Sequence, residues 1–283
     1  MKSTTSLKLL LLTFFLMGEL SYAQVKIGAK VGYSVGRITD NSDNIYTEDY
    51  KSTSGVDVGI MFEFPVSDLF SLQTEILYTQ RGGDRTGMQP IPTAALEDFG
   101  SVDQLNYMLS LQGKGPVDDL NPMYADFNNI SNLNYIEIPI MGKLGWGETW
   151  RFYVEAGPYI GFLVNASQNT SGTSLITLDA AGQDPLIVAN PNYDPSNPSS
   201  GPLWVPVPPQ SFDAETDTKD ELNTLNFGFH AGTGLIRKIA DKHEVFVGFR
   251  GSWGAKSLQK DEVFGDSHVG GLIFSLGYMF TLE

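Results

Sequence analysis

The feature that most constrains this chain is a period-two alternation of bulky apolar residues with small or charged ones, repeated in eight separate segments. Successive side chains of a β-strand point to opposite faces, so the alternation predicts strands with one apolar face each. The first segment sets Val25, Ile27, Ala29, Val31, Tyr33 and Val35 against Lys26, Gly28, Lys30, Gly32 and Ser34. The pattern returns over 56–64, 72–79, 135–146, 152–162, 225–235, 244–253 and 271–280, with Phe246 out of phase in its segment. Each segment is roughly 8 to 13 residues long, close to what a tilted strand needs to cross a bilayer. A soluble sandwich also alternates. Here, however, the apolar face is bulky and aromatic while the other mixes glycine with ionisable residues, which a wet face has no reason to do.

The connections alternate as well. Short ones fall at 65–68, 147–149 and 240–242; long ones fall at 37–53, 81–131, 167–221 and 256–267. Tight turns at one end and large loops at the other are the pattern of a barrel with periplasmic turns and external loops. Closure also removes strand edges that lipid cannot hydrogen-bond. The expected fold is therefore all-β: an eight-stranded antiparallel up-and-down transmembrane β-barrel with long extracellular loops. Phe62, Phe64, Phe70, Trp146, Trp150, Phe152, Tyr278 and Phe280 fall near the turns, and Tyr33, Tyr78, Tyr135, Phe162 and Trp253 toward the loops. Two aromatic girdles at the membrane interfaces account for both groups.

The start of the chain reads as an export signal. Lys2 and Lys8 precede an apolar run from Leu9 to Met17, and Ser21 and Ala23 place small residues for cleavage before Gln24. Residues 1–23 are thus expected to be a signal peptide and 24–283 the barrel domain. No cysteine follows to carry a lipid anchor, and no disulfide is available. The formal net charge is −15, which argues against nucleic acid, whose phosphates need a basic face.

Eight strands enclose just enough room for side chains, so the lumen is expected to be filled. Lys30, Glu75, Glu155 and Arg250 fall near mid-height on the inner faces, with Glu137 and Lys143 in adjoining layers. Charges at that depth must pair, which predicts an internal salt-bridge network; a gated narrow ion or proton pathway is the alternative. Catalysis finds little support. His230 lies on a lumen face, His243 at a turn, and His268 beside Asp266 and Ser267 forms the only local cluster of that kind. The acidic runs Asp213, Glu215, Asp217, Asp220, Glu221 and Asp118, Asp119, Asp126 read as solvated loops. Their oxygens suit weak Ca²⁺ or Mg²⁺ binding, although the twelve-residue Ca²⁺-loop spacing is missing. Ser101-Val102-Asp103-Gln104 is a capping-box pattern that predicts a short helix over 101–111, whereas 190–210, with seven prolines, reads as irregular or PPII-like.

Asn134-Tyr135-Ile136-Glu137-Ile138-Pro139-Ile140, followed by Lys143, resembles the corresponding strand of the PorT-type, porin-like outer-membrane β-barrel family of Bacteroidetes. The stretches 153–161 and 227–234, leading into 247–254, are similar to it too, and the likeness spans the mature chain except the two longest loops. It implies an outer-membrane barrel of about eight strands, usually without assigned activity, with one branch of the family serving the type IX secretion system. No catalytic residue can be carried over from it. The expectation is a non-enzymatic barrel without cofactor, exported to the outer membrane. Its partners would be outer-membrane lipid and other envelope or secretion proteins, and it would act in envelope integrity or surface binding through its loops.

Overall fold

The computed structural model describes residues 24–40, 42–96 and 100–282, so the expected signal segment lies outside the described residues. Eight long strands form the body: β1 (Lys26–Asp40), β2 (Lys51–Pro65), β3 (Phe70–Ile91), β4 (Met123–Trp146), β5 (Trp150–Ser171), β6 (Leu225–Ala240), β7 (His243–Gly254) and β8 (Ser267–Thr281). Each pairs antiparallel with its neighbours in chain order, and β1 closes on β8 from Lys26↔Thr281 to Asp40↔Ser267. The ring therefore leaves no barrel edge unpaired.

Alternation decides which residues face out. Val31 and Leu276 are 58% and 57% exposed, whereas Lys30 and Met279, one step of alternation away from the outer row, are buried. An outward belt of this kind runs round the ring, and exposed apolar side chains at this density need lipid. Trp146, Trp150 and Phe152 stand at its turn end and Tyr33, Tyr78, Phe162 and Trp253 at its loop end. Tyr135 departs from the girdle expectation, since it is fully buried inside the ring. Phe246, out of phase in the sequence, also turns inward and packs with Met61, Tyr153, Ile236 and Met279 near the turns. Pro139 interrupts the ladder of β4, for it has no N–H to give; its carbonyl instead accepts from Thr74 Oγ1 at 3.0 Å. The lumen glycines make room for rings. A Cβ on Gly248 would sit 2.6 Å from the Tyr153 hydroxyl, and one on Gly234 would sit 2.5 Å from the same ring.

Three strands overrun the expected loops. The β3–β4 ladder continues past Arg81 to Ile91↔Met123, and β4–β5 continues to Asn128↔Ser171. Strands of 22 to 24 residues replace the 8 to 13 expected there. Beyond the belt the outward face turns polar and the inward face mixes Leu133, Ala125 and Met123 with Arg81, Arg85 and Asn129, so the alternation fades while backbone pairing goes on. The 214–217 segment adds a short outer strand along β5. The result is a one-sided wall above β3, β4 and β5.

A small second core sits beside the wall. Between β3 and β4 lie α1 (Thr93–Leu96) and α2 (Val102–Leu111), and α2 turns Leu109 inward. Leu96 and Leu109 pack with Ile91, Val117, Met123, Ala125, Ile176 and Leu186. The helix forms where the spacing placed it, but Ser101 makes no side-chain cap bond. The proline-rich 190–210 stretch is more ordered than PPII: its base pairs 187–189 with 204–206, and Pro198–Ser200 makes a 3-10 turn.

Candidate functional site: the charged lumen and the acidic outer segments

The inner face of the ring stacks ionic and apolar tiers. At the turn end, Lys143 Nζ donates to Glu63 at 2.7 Å and to Gln73 Oε1 at 3.1 Å, while Lys26 donates to Glu244 at 2.7 Å. At mid-height Arg250 joins two carboxylates from different strands. It donates to Glu75 at 2.8 and 3.0 Å and to Glu155 at 2.6 and 2.9 Å. Lys30 closes the tier, 2.9 Å from Glu75 and 3.3 Å from Asp57. Above it Arg81 donates to Glu137 at 3.1 and 3.2 Å, and His230 Nε2 lies 3.3 Å from the same carboxylate. The His230 ring stacks on Tyr159 at 4.4 Å between centroids. An apolar tier then covers the loop end: Ile38, Leu133, Tyr135, Leu163, Ala166, Leu258 and Val269, with Tyr50 and Leu222 packed on it.

Of the six residues singled out in the sequence, Lys30, Glu75, Glu155 and Arg250 meet in one cluster. Glu137 and Lys143 lie in separate tiers above and below it. The balance of three against three is incomplete, because Lys26, Asp57, Glu63, Arg81 and Glu244 also pair inside. Each follows the inward parity of its strand. Asp57, Glu63 and Glu244 stood in the alternating pattern without being counted, and Arg81 was hidden because its strand was cut short there.

The other sequence candidates do not assemble. His268 lies 3.3 Å from Asp266, but Ser267 Oγ donates to Gln259 instead, so no nucleophile–base pair forms. Among the described residues no group of three or more His, Asp or Glu side chains is placed to hold a metal ion. The carboxylates of the acidic runs are engaged locally. Asp213 accepts from Ser211 and the Gly172 amide, and Asp118 accepts from the Leu120 and Asn121 amides. Both Asp213 and Asp194 are held below the usual carboxylate range by such donors, Ser211 for the first and Ser196 for the second. Burial pushes the Glu221 carboxyl upward.

Charge is sorted along the molecule. Segments 41–50, 84–131, 167–224 and 255–267 hold 21 acidic and five basic residues, a net of −16. The rest of the chain, with 12 acidic and 13 basic residues, is nearly neutral. Asn223 ties two of the outer segments together, its side-chain amide donating to the Ser257 and Gln259 carbonyls at 3.1 and 2.8 Å.

A closed antiparallel ring with an outward apolar belt, aromatic rims and a paired-charge interior defines a β-barrel of the bacterial outer membrane. The chain belongs to the family described as outer membrane protein beta-barrel domain, whose model matches residues 21–258. Among solved structures it is similar to Neisserial surface protein A, at 10% identity and a TM-score of 0.38, covering 92% of this chain and 97% of that one. It is similar also to Ail, the attachment invasion locus protein of Yersinia pestis, at 10% identity and a TM-score of 0.38, covering 91% and 99%. For OprG from Pseudomonas aeruginosa the values are 8%, 0.37, and 93% and 99%. No curated protein matches the chain significantly.

Proposed function

We propose that this outer-membrane barrel is a non-catalytic surface protein. Its lumen is plugged by paired charges, and its activity resides in the acidic outer segments, in surface binding or envelope integrity. The observation that carries this reading is Arg250, which binds Glu75 and Glu155 from β3 and β5 while itself anchored on β7. A guanidinium bound to carboxylates on two other strands crosses the lumen, and the apolar tier above it shields the path from the loop end. With the barrel occupied, the net charge of the outer segments supplies the feature a partner can read from a distance. Planar-bilayer recording tests the plug. The mature protein is expected to show no steady openings; steady openings that change on Glu75→Gln or Arg250→Met overturn the reading.

The Tyr135-Ile136-Glu137-Ile138-Pro139 strand favours a second reading, an accessory role in a type IX secretion system. Co-purification from crosslinked outer membranes separates the two, since a machine component carries its partners through the column.

A further inference from the structure

We propose that the outward face of the β3–β5 wall docks the saccharide headgroup of outer-leaflet glycolipid. The argument begins at the belt. On β4 the outward row runs through Ile140, Ile138 and Ile136, and the next outward positions are Asn134, Asn132, Ile130 and Asn128. The neighbouring strands change character at the same level: the register pairs Asn134 with Asn165, Ile130 with Asn169, and Asn128 with Thr86 and Ser171. β3 and β4 cross this boundary without a break in pairing, and the β4–β5 ladder resumes above it after a bulge at Val164. Whatever stands above the acyl chains on this flank therefore abuts the polar rows directly.

The chemistry of the face selects the occupant. Besides the carboxylates of Asp84 and Asp126, it offers carboxamides and hydroxyls, which donate and accept at once, as sugar hydroxyls do. The strands β3, β4 and β5 carry no outward cation at this level; at the margins, Lys51 of β2 faces Asp84 across the ladder and Lys219 is held on the Val164 carbonyl at 3.0 Å. The two arginines of this stretch point the other way, Arg81 to Glu137 and Arg85 to the Ile45 carbonyl at 2.8 Å. A phosphate-binding surface would have them outward, so the sugar, not the lipid phosphate, is the group that fits. The backing is firm, because Leu133 and Ala166 on the inner side of the same strands are buried in the apolar tier. The array is also set in advance: Thr86 Oγ1 donates to Asn128 Oδ1 at 2.9 Å. Strands spaced about 4.8 Å apart bring neighbouring amides within the width of a sugar ring. From Asn134 to Met123 a strand tilted by about 40° climbs roughly 28 Å, enough to reach well into a carbohydrate layer.

The test uses the mature full-length protein in detergent, with native mass spectrometry as the readout. Three probes are offered: lipopolysaccharide with a complete core, lipid A without core sugars, and the lipid-free core oligosaccharide. The expected result is about five-fold higher occupancy by the complete glycolipid than by lipid A, a difference of about 1 kcal/mol. The free oligosaccharide should compete at high concentration. Asn132→Leu with Asn169→Leu is expected to bring the complete glycolipid down to the lipid A level, with heat-modifiable migration confirming the fold. If that pair does not fold, Asn132→Ala with Asn169→Ala removes the same amides with less strain. Equal occupancy by the two lipids, or no response to either pair of substitutions, overturns the proposal. So does a dimer in detergent that the same substitutions dissolve, which would make a second copy the occupant. Bilayer conductance does not bear on this result, so the lumen reading and the docking reading fail separately.

Discussion

Replacing Arg250 by methionine removes four hydrogen bonds to two carboxylates in one step. The two are not left equally exposed to the loss. Glu75 keeps Lys30, which it shares with Asp57, at 2.9 Å and Gln73 Nε2 at 2.5 Å, so it retains a cationic partner. Among the described residues Glu155 then keeps Gln73 Nε2 alone, at 3.5 Å, a contact at the limit of a hydrogen bond. The variant therefore creates one orphaned carboxylate in a buried tier, and breaking a buried pair in this way costs about 3–5 kcal/mol. Arg250→Met combined with Glu155→Leu removes the orphan and leaves an apolar pair where a salt bridge stood. That exchange is often neutral, so the double variant is expected to recover about 2 kcal/mol or more over the single one. Urea unfolding of the protein in lipid vesicles measures both, followed by tryptophan fluorescence with Trp253 on the lipid face of β7 as a reporter. A single variant costing less than about 1 kcal/mol, or a double variant no more stable than the single, refutes the reasoning.

Two further predictions follow from the lumen and the loop tip. Gly248→Leu drives a side chain toward the Tyr153 hydroxyl and is expected to abolish heat-modifiable migration, with Tyr153→Ala in the same chain restoring it. At the tip, Ser196 donates to Asp194 from both its hydroxyl, at 2.6 Å, and its amide, at 2.8 Å, which lowers the Asp194 pKa. A lowered pKa contributes order above the ordinary carboxylate value, and that contribution is lost as pH falls through the lowered one. Surface protease cleavage within 193–201 on whole cells is thus expected to rise at acid pH, and Asp194→Asn to raise it at neutral pH while the barrel stays folded.

The barrel was legible because lipid imposes a rule that each strand must obey on its own. Ile27 to Tyr33 and Leu272 to Tyr278 announce their outward faces without reference to any partner. The mid-height charges were legible for the same reason, since parity alone puts Lys30, Glu75, Glu155 and Arg250 inside. Above the belt the rule lapses. Asn128, Asn132 and Asn134 face out while Asn129 is buried, so polarity no longer tells the faces apart and the wall was read as loop. The second core was missed for another reason. Ile91, Leu109, Val117 and Leu186 come from distant segments, and no local period links them. Tyr135 shows the limit within a strand, because its ring was assigned to the interface by depth when its parity places it in the lumen.

The wall gives the molecule a heading. A neighbour drifting in from the β6–β7 side meets strands that stop at Leu225 and Gly254, at the level of the outermost lipid-facing rings. One arriving from the β3–β5 side meets peptide standing far above that level. Rotation about the membrane normal, which leaves a symmetric barrel unchanged, here swaps a low flank for a tall one. In a crowded outer leaflet, then, which way the barrel is turned decides what it touches.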